Sequence, residues 1–196
     1  MKNFQDKTAF VTGGASGIGL GTTKVFVKNG MRVVIADMRQ SALDEAVAWF
    51  KENGGEVYPI NLNVTDREAY AKAADEAESV FGNIHVLFNN AGVGMGGTTA
   101  QTTFKDWDYG MGVNIGGVIN GVLTMLPRML KHGEEGHIVS TSSAIIPICS
   151  FSPSSTYSFL NLNFLTLIFS KSANLYVASV IRFFIFLSEG GVVSIV

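Results

Sequence analysis

The chain has 196 residues and a formal net charge of −2, with 47% hydrophobic and 15% charged residues. This length is enough for one domain with a sizeable core, and the absence of any basic stripe argues against a nucleic-acid partner. The single cysteine, Cys149, excludes an internal disulfide and a cysteine-built zinc site. The amino-terminal residues are polar and contain no signal-peptide core, which predicts a cytoplasmic location.

The first predicted strand, residues 8–11, is followed by the sequence T-G-G-A-S-G-I-G and by a helix-like stretch over residues 18–28. A strand, a glycine turn and a helix in this order direct backbone N–H groups and the positive helix end at one point, where a pyrophosphate can bind. The alternative is a tight turn without a ligand. The predicted cofactor residues in this turn are Gly13, Ser16, Gly17, Ile18 and Gly19.

Strand-like and helix-like segments then alternate along the chain. Further strands are predicted at residues 32–36, 57–62, 84–88 and 137–140. Helices are predicted from an N-cap at Ser41 to residue 53, from a capping box at residues 65–68 to residue 81, and over residues 104–131, as one long helix or two broken ones. Repeated β-α-β units predict an α/β fold of three layers, a Rossmann-like doubly wound parallel sheet that binds its ligand at the carboxyl ends of the strands.

Polar side chains follow the second, third and fourth predicted strands. Asp37 ends the second strand, about 20 residues beyond the glycine turn, where a carboxylate accepts hydrogen bonds from the adenosine ribose of a dinucleotide. The carboxylate favours NAD over NADP, because it would repel a 2′-phosphate. Arg39 is nearby in the sequence and could accommodate that phosphate. The alternative is that Asp37 is an ordinary surface residue in a turn. Asn63 and Val64 follow the third strand, and Asn89, Asn90, Ala91 and Gly92 follow the fourth.

Taken together with Asn114, the Ser142-Ser143 pair and Tyr157, these motifs resemble the short-chain dehydrogenase/reductase family over about residues 4–158. The resemblance implies hydride transfer between a nicotinamide and a small-molecule alcohol or carbonyl compound. It further implies that Ser143 binds the substrate oxygen, Tyr157 is the general acid/base and Asn114 supports a proton-relay water. It also places Asn63, Val64, Asn90, Ala91 and Gly92 against the cofactor, as NAD(P)-binding residues.

The family motif Tyr-x-x-x-Lys is incomplete, because Asn161 stands where the lysine is expected, four residues after Tyr157. In the family this lysine holds the nicotinamide ribose and lowers the tyrosine's pKa. A phenol ionises near pH ~10, so Tyr157 without the cation is a poor base at neutral pH. Lys171 would lie about 20 Å away on a helix and does not substitute. The alternative function is therefore a non-catalytic nucleotide-binding remnant or a non-functional truncated product.

Residues 159–196 form an atypical apolar tail after the predicted domain of residues 1–158, and the fold is expected to be incomplete there. From residue 158 onward, the charged side chains are Lys171, Arg182 and Glu189. Three hypotheses account for the tail: a membrane segment, which polar interruptions disfavour, a diverged helix and strand, or unrelated sequence from a frameshift, a retained intron or a wrong gene model. Residues 177–181 and 183–187 are the candidate strands.

The substrate and the oligomeric state are less clearly indicated by the sequence. Residues 144–148 and 93–95 would line an apolar pocket, which favours a secondary alcohol or ketone with a hydrophobic body, with ordinary core packing as the alternative. In the family, the helices that carry Asn114 and Tyr157 pair between subunits. A homo-oligomer is therefore possible, and close packing on the first helix is expected at its glycines, Gly110, Gly112, Gly116, Gly117 and Gly121.

Overall fold

The computed structural model describes residues 4–94, 101–144, 160–169 and 176–185, with residues 142–144 and the last two ranges described as backbone strands only. Its strands are β1 (Thr8–Thr12), β2 (Arg32–Asp37), β3 (Val57–Asn61), β4 (Val86–Asn89), β5 (Gly136–Ala144), β6 (Leu160–Phe169) and β7 (Tyr176–Ile185). Its helices are α1 (Gly17–Lys28), α2 (Gln40–Asn53), α3 (Arg67–Phe81), α4 (Phe104–Met111) and α5 (Gly117–His132), and a π-helical segment, Gly112–Gly116, joins α4 to α5.

The described strands form one sheet in the order β3-β2-β1-β4-β5-β6-β7. Neighbours from β3 to β5 pair in parallel, so the predicted Rossmann-like α/β fold is confirmed. The chain order reverses between β1 and β4, which lie side by side. In open α/β sheets a ligand binds at this switch point, outside the carboxyl ends of the strands.

Two apolar cores, one on each face of the sheet, hold the helices in place. Phe10, Val34 and Leu87 face the core beneath α3 and α5. Val11 and Ile35 belong to the opposite core, beneath α1 and α2. Because successive residues of a strand point to opposite faces, strands buried on both sides must be apolar throughout, and this explains their continuous hydrophobic sequence.

Two helices begin at residues other than those predicted. The N-cap of α3 is Asp66, whose carboxylate accepts from the Ala69 amide at 2.9 Å, because the Thr65 hydroxyl donates instead to Asn63 Oδ1 at 2.9 Å. Helix α2 has Arg39 as its N-cap, two residues before the predicted Ser41. At α3, Asn63 thus takes up the Thr65 hydroxyl on which the capping prediction depended.

Residues 160–169 and 176–185 continue the sheet as antiparallel strands, so the helix that the family resemblance places at Tyr157 does not continue through Leu160 and Asn161. The alternation of leucine and asparagine over residues 160–163 has the period of a strand, a signal that the sequence analysis overlooked. Candidate strands 177–181 and 183–187 are in large part a single strand, β7, which runs through Arg182. The backbone of β6 places Asn161 opposite Ala144 and Leu162 opposite Ser143.

The predicted helix over residues 104–131 is one continuous helical run. Among the described residues it is the one helix whose length and composition would allow it to cross a membrane, a test that core helices of soluble proteins also pass. One face of α5 packs on the sheet through Gly117, Gly121 and Met125. A Cβ on Gly117 would lie 2.6 Å from the Val64 side chain, and one on Gly121 would overlap Asn89 Oδ1. These two glycines therefore allow close packing on the protein's own core, not on another subunit as expected.

Candidate cofactor and active site

A cavity of about 460 Å³ opens at the carboxyl ends of the strands, beside the switch point between β1 and β4. Except for Gly19, every residue predicted to contact the cofactor lines this cavity. The lining is Gly13, Ser16, Gly17, Ile18, Asp37, Met38, Arg39, Leu62, Asn63, Val64, Asn90, Ala91, Gly92, Val93, Tyr109 and Val113. The structure therefore brings together four segments that are separated along the chain, and it adds Tyr109 and Val113 from the helical run.

Two glycines of the turn adopt backbone conformations that side chains disfavour. Gly13 has φ +62°, and a Cβ there would lie 3.0 Å from the Ala91 Cα. Gly17 has φ +52°, and a Cβ there would meet no described atom within 4 Å, so this glycine faces open space in the cavity. Gly13 lets two strand ends approach closely, and Gly17 leaves room at the start of α1 for a ligand.

Gly19 lies inside the first turn of α1 and faces the protein. A Cβ at this position would overlap the carbonyl oxygen of Gly13 and lie 2.7 Å from Asn90 Nδ2. The glycine is required because the helix packs directly on its own preceding turn, so its effect on any ligand is exerted through the shape of the turn. Direct contact with a pyrophosphate stays a prediction.

The glycine turn is held by the residues that follow β4. The backbone amides of Asn90 and Ala91 both donate to Thr12 Oγ1, at 2.9 and 3.1 Å. The Asn90 side-chain amide donates to the carbonyl oxygens of Thr12 at 3.3 Å and Gly13 at 3.4 Å. Asn90 thus fixes the turn as well as lining the cavity. Thr12 was not among the predicted site residues, although a hydroxyl at the end of the first strand, directly before the glycines, was the available signal.

Asp37 and Arg39 form a polar corner at the end of β2. The Asp37 side chain is only 7% exposed, and its Oδ1 accepts from the Arg39 amide at 3.1 Å and lies 3.5 Å from Arg39 Nε. Arg39 Nη2 donates to Ser16 Oγ at 2.5 Å. The guanidinium therefore links the carboxylate to the turn before α1. Asp37 is more than a surface turn residue, since it is nearly buried and lines the cavity.

Asn114 lies in the π-helical segment and holds the chain that follows β4. Its Oδ1 accepts from the Val93 amide at 2.8 Å, and its Nδ2 donates to the Val93 carbonyl oxygen at 3.0 Å. π-Helical turns inside α-helices occur frequently at functional sites. Here the turn positions an amide that clamps Val93, which itself lines the cavity.

The ends of β4 and β5 are cross-linked beneath the cavity. Asn89 Nδ2 donates to Ser140 Oγ at 3.3 Å, and Thr141 Oγ1 donates to the Asn89 carbonyl oxygen at 3.2 Å. Two buried polar atoms, Asn89 Oδ1 and the Tyr70 hydroxyl, have no hydrogen-bond partner among the described residues. Burial also raises the pKa of the Tyr70 hydroxyl. This cross-link aligns the strand that carries Ser143.

The other two predicted catalytic residues are placed only in part. Ser143 belongs to β5, close to its carboxyl end, and is described by its backbone. Tyr157 lies outside the described residues, as do residues 145–148 and Met95 of the predicted apolar pocket. Mutual contact of Ser143, Tyr157 and Asn114 therefore stays a prediction.

Comparison with known proteins gives a consistent result. A family model described as short chain dehydrogenase matches residues 7–158. The C alpha-dehydrogenase of Sphingobium sp. (strain NBRC 103272 / SYK-6) is 51% identical over 144 residues, 73% of this chain and 47% of that protein. The crystal structure of the apo form of LigO from Sphingobium sp. strain SYK-6 covers 70% of this chain and 52% of its own, with TM-score 0.69 and 52% identity.

A short chain dehydrogenase/reductase from Burkholderia phymatum, solved in complex with NAD, has TM-score 0.70 and 38% identity over 73% of this chain and 51% of its own. The chain thus spans about half the length of the relatives described above. The matched region agrees with the region over which the motifs were found in the sequence.

Proposed function

This chain belongs to the short-chain dehydrogenase/reductase family, and we propose that it binds NAD and transfers hydride between the nicotinamide and an alcohol or ketone. The family is one of NAD(P)-dependent oxidoreductases that act on small molecules. One observation carries the proposal: the segments predicted from sequence to contact the cofactor converge on a single cavity at the switch point.

The residues around this cavity fit a dinucleotide. The amino terminus of the twelve-residue helix α1 opens at Gly17, where a side chain would occupy space that the cavity leaves free. Unpaired amides and the helix dipole favour a pyrophosphate at such a position. Asp37 would accept hydrogen bonds from the adenosine ribose, and Asn90, Ala91 and Gly92 would face the nicotinamide half.

In the proposed reaction the cofactor supplies the hydride acceptor or donor. Side chains of this protein would bind the substrate and move its proton. Ser143 would hold the substrate oxygen, and Tyr157 would move its proton. Asn114 would organise the water that returns this proton to solvent, and its clamp on Val93 keeps the chain after β4 in place. These roles come from the family resemblance.

The polar corner at the end of β2 supports NAD as the preferred cofactor. A nearly buried carboxylate beside the ribose would repel a 2′-phosphate. Arg39, the cation that could offset this repulsion, is already engaged by Asp37 and Ser16. NADP binding would require Arg39 to leave at least one of these partners.

Replacement of Asp37 by alanine is expected to weaken NAD binding about tenfold or more and to relax discrimination against NADP. The variant loses charge-assisted hydrogen bonds of about 1.5–3 kcal/mol together with the repulsive charge. Both dissociation constants are measured by fluorescence titration. Glu45→Ala is the matched control, because it removes an acidic side chain from an exposed position of α2. Unchanged constants for both cofactors in Asp37→Ala would reject this role.

We propose a secondary alcohol or ketone with a hydrophobic body as the substrate. Val93 and Val113 give the cavity apolar walls, which favours a substrate with a hydrophobic body. The similar protein from Sphingobium is named a C alpha-dehydrogenase. A cytoplasmic location is part of the same proposal.

A non-catalytic nucleotide-binding remnant is the second candidate function. It is supported by Asn161, which stands in place of the family's lysine and lies in a β-strand. A chain of this kind would bind NADH but would turn over no alcohol from a broad panel. Activity equal to that of a complete family enzyme would exclude it.

A homo-oligomer is proposed from an exposed apolar stripe on the helical run. Large side chains recur every four residues at Trp107, Met111, Ile115, Ile119 and Leu123, and Leu123 is 69% exposed. Side chains four residues apart are neighbours on a helix, so these five form a continuous exposed row along the run. A second copy of the chain presents the same stripe and could cover it symmetrically.

The substitution Leu123→Asp is expected to convert the native oligomer to a monomer, because a carboxylate buried in an apolar contact remains unpaired. Sedimentation velocity measures the change. Val80→Asp is the control, since Val80 is an exposed apolar residue of α3 outside the stripe. A monomeric native protein, or an oligomer that survives Leu123→Asp, would contradict the proposal.

A further inference from the structure

The helical run lies along the segment that follows β3. Asn120 Nδ2 donates to the carbonyl oxygen of Val64 at 2.9 Å and to that of Thr65 at 3.4 Å. Further toward the amino end of the run, a Cβ on Gly117 would press on Val64, and one on Gly112 would lie 3.8 Å from Thr65 Cγ2. One face of the run therefore covers residues 62–65.

This face continues beyond the covered segment to the cavity. Val113 is buried in the core and also lines the cavity. Tyr109 precedes it by one helical turn, on the same face, and lines the cavity with its side chain 52% exposed. The Tyr109 ring therefore lies at the rim of the cavity, beyond the part of the helical run that packs on residues 62–65.

The position of this ring along the cavity follows from the strand order. Asp37 ends β2, and residues 62–64 follow β3, which is the edge strand on that side of the switch point. A ribose bound by Asp37 would direct its base toward β3, against Leu62 and Val64. Tyr109 belongs to the helix face that packs over Leu62 and Val64. Its ring would therefore lie beside the adenine base and away from β5.

We infer that Tyr109 forms an outer wall of the adenine subsite and that its ring packs against the purine. The inference rests on the proposed NAD function and extends it to a residue that no motif in the sequence identifies. A phenol ring offers a flat apolar face to a flat base, and such aromatic pairs contribute beyond simple burial of surface. Because the contact is to the base, Tyr109 affects adenine-containing ligands and leaves nicotinamide fragments unaffected.

The test compares three ligands by isothermal titration calorimetry: NADH, ADP-ribose and nicotinamide mononucleotide. For Tyr109→Ala we expect about three- to tenfold weaker binding of NADH and ADP-ribose and unchanged binding of the mononucleotide. Tyr109→Phe should keep native affinities, since the ring and not the hydroxyl makes the contact. Phe104→Ala is the matched control, because Phe104 is an exposed aromatic residue of α4 that neither lines the cavity nor belongs to the apolar stripe. Circular dichroism confirms folding, and Tyr109→Leu serves if the alanine variant unfolds.

The outcomes separate this inference from the proposed function. If the native chain binds neither NADH nor ADP-ribose, both are overturned. If the native chain binds them and Tyr109→Ala binds ADP-ribose equally well, the inference on Tyr109 is wrong and the NAD proposal stands. Weaker binding of the mononucleotide alone would place the ring at the other end of the cavity and would likewise overturn the inference.

Discussion

Replacement of Gly19 by valine is expected to abolish NADH binding while leaving the chain folded. The added side chain would begin with a Cβ that overlaps the carbonyl oxygen of Gly13, a backbone atom that cannot rotate away. The start of α1 must then move off the turn, which disperses the amides proposed to bind the pyrophosphate. The strands and both cores lie beneath the turn and retain their own packing.

Gly21→Ala is the matched control for this experiment. Gly21 lies in the same helix two residues later, and a Cβ there would meet nothing within 4 Å. Alanine should therefore stabilise α1 by about 0.5–1 kcal/mol and leave binding intact. Fluorescence titration with NADH and circular dichroism are run on both variants. NADH affinity retained in a folded Gly19→Val variant would contradict the assignment of the phosphate-binding turn.

The location of the cavity could be predicted from sequence because it depends on local patterns. A parallel sheet requires apolar strands and short loops, and the residues directly after β1, β2, β3 and β4 meet at one edge. Asp37 and Asn90 were therefore found from their positions at strand ends. Tyr109 could not be found in this way, because its position at the cavity depends on how a helix from a later part of the chain packs over residues 62–65.

The glycines of the helical run show a second limit of sequence reasoning. Their number indicates close packing but not the face that packs, because this depends on how the helix is rotated about its axis. Gly117 and Gly121 face Val64 and Asn89 inside the protein, and the exposed stripe consists of large apolar side chains instead. Similarly, the cap of α3 was misplaced by one residue because Asn63 binds the amide and the hydroxyl of Thr65, a local contact that propensities do not include.

The native chain is expected to be a weak catalyst or none, and repair of its charge alone should restore little activity. In the family a lysine stands four residues after the tyrosine, one helical turn away. Asn161 is instead the second residue of β6, in extended backbone. A lysine introduced by Asn161→Lys would therefore stand in a strand, and not in the helix from which the family's cation lowers the tyrosine's pKa.

A chimera should restore far more. We propose a boundary at about residue 158, where the family match ends, and replacement of the following residues by the corresponding segment of the Sphingobium C alpha-dehydrogenase. The grafted segment must carry the family's lysine four residues after Tyr157, and general acid–base catalysis contributes about 10²–10⁴-fold to rates. NAD reduction is compared, with one alcohol panel, for the native chain, Asn161→Lys and the chimera.

Within the chimera, Tyr157→Phe is the decisive control, because it removes the proposed acid/base hydroxyl and keeps the ring. It should return the rate to that of the native chain while NADH still binds. Equal rates of NAD reduction for the native chain and the chimera would contradict the predicted loss of function. Strand β6, which pairs antiparallel with β5, and strand β7, which pairs with β6, would then have to hold the substrate beside Ser143 and supply the charge that the missing lysine provides elsewhere in the family.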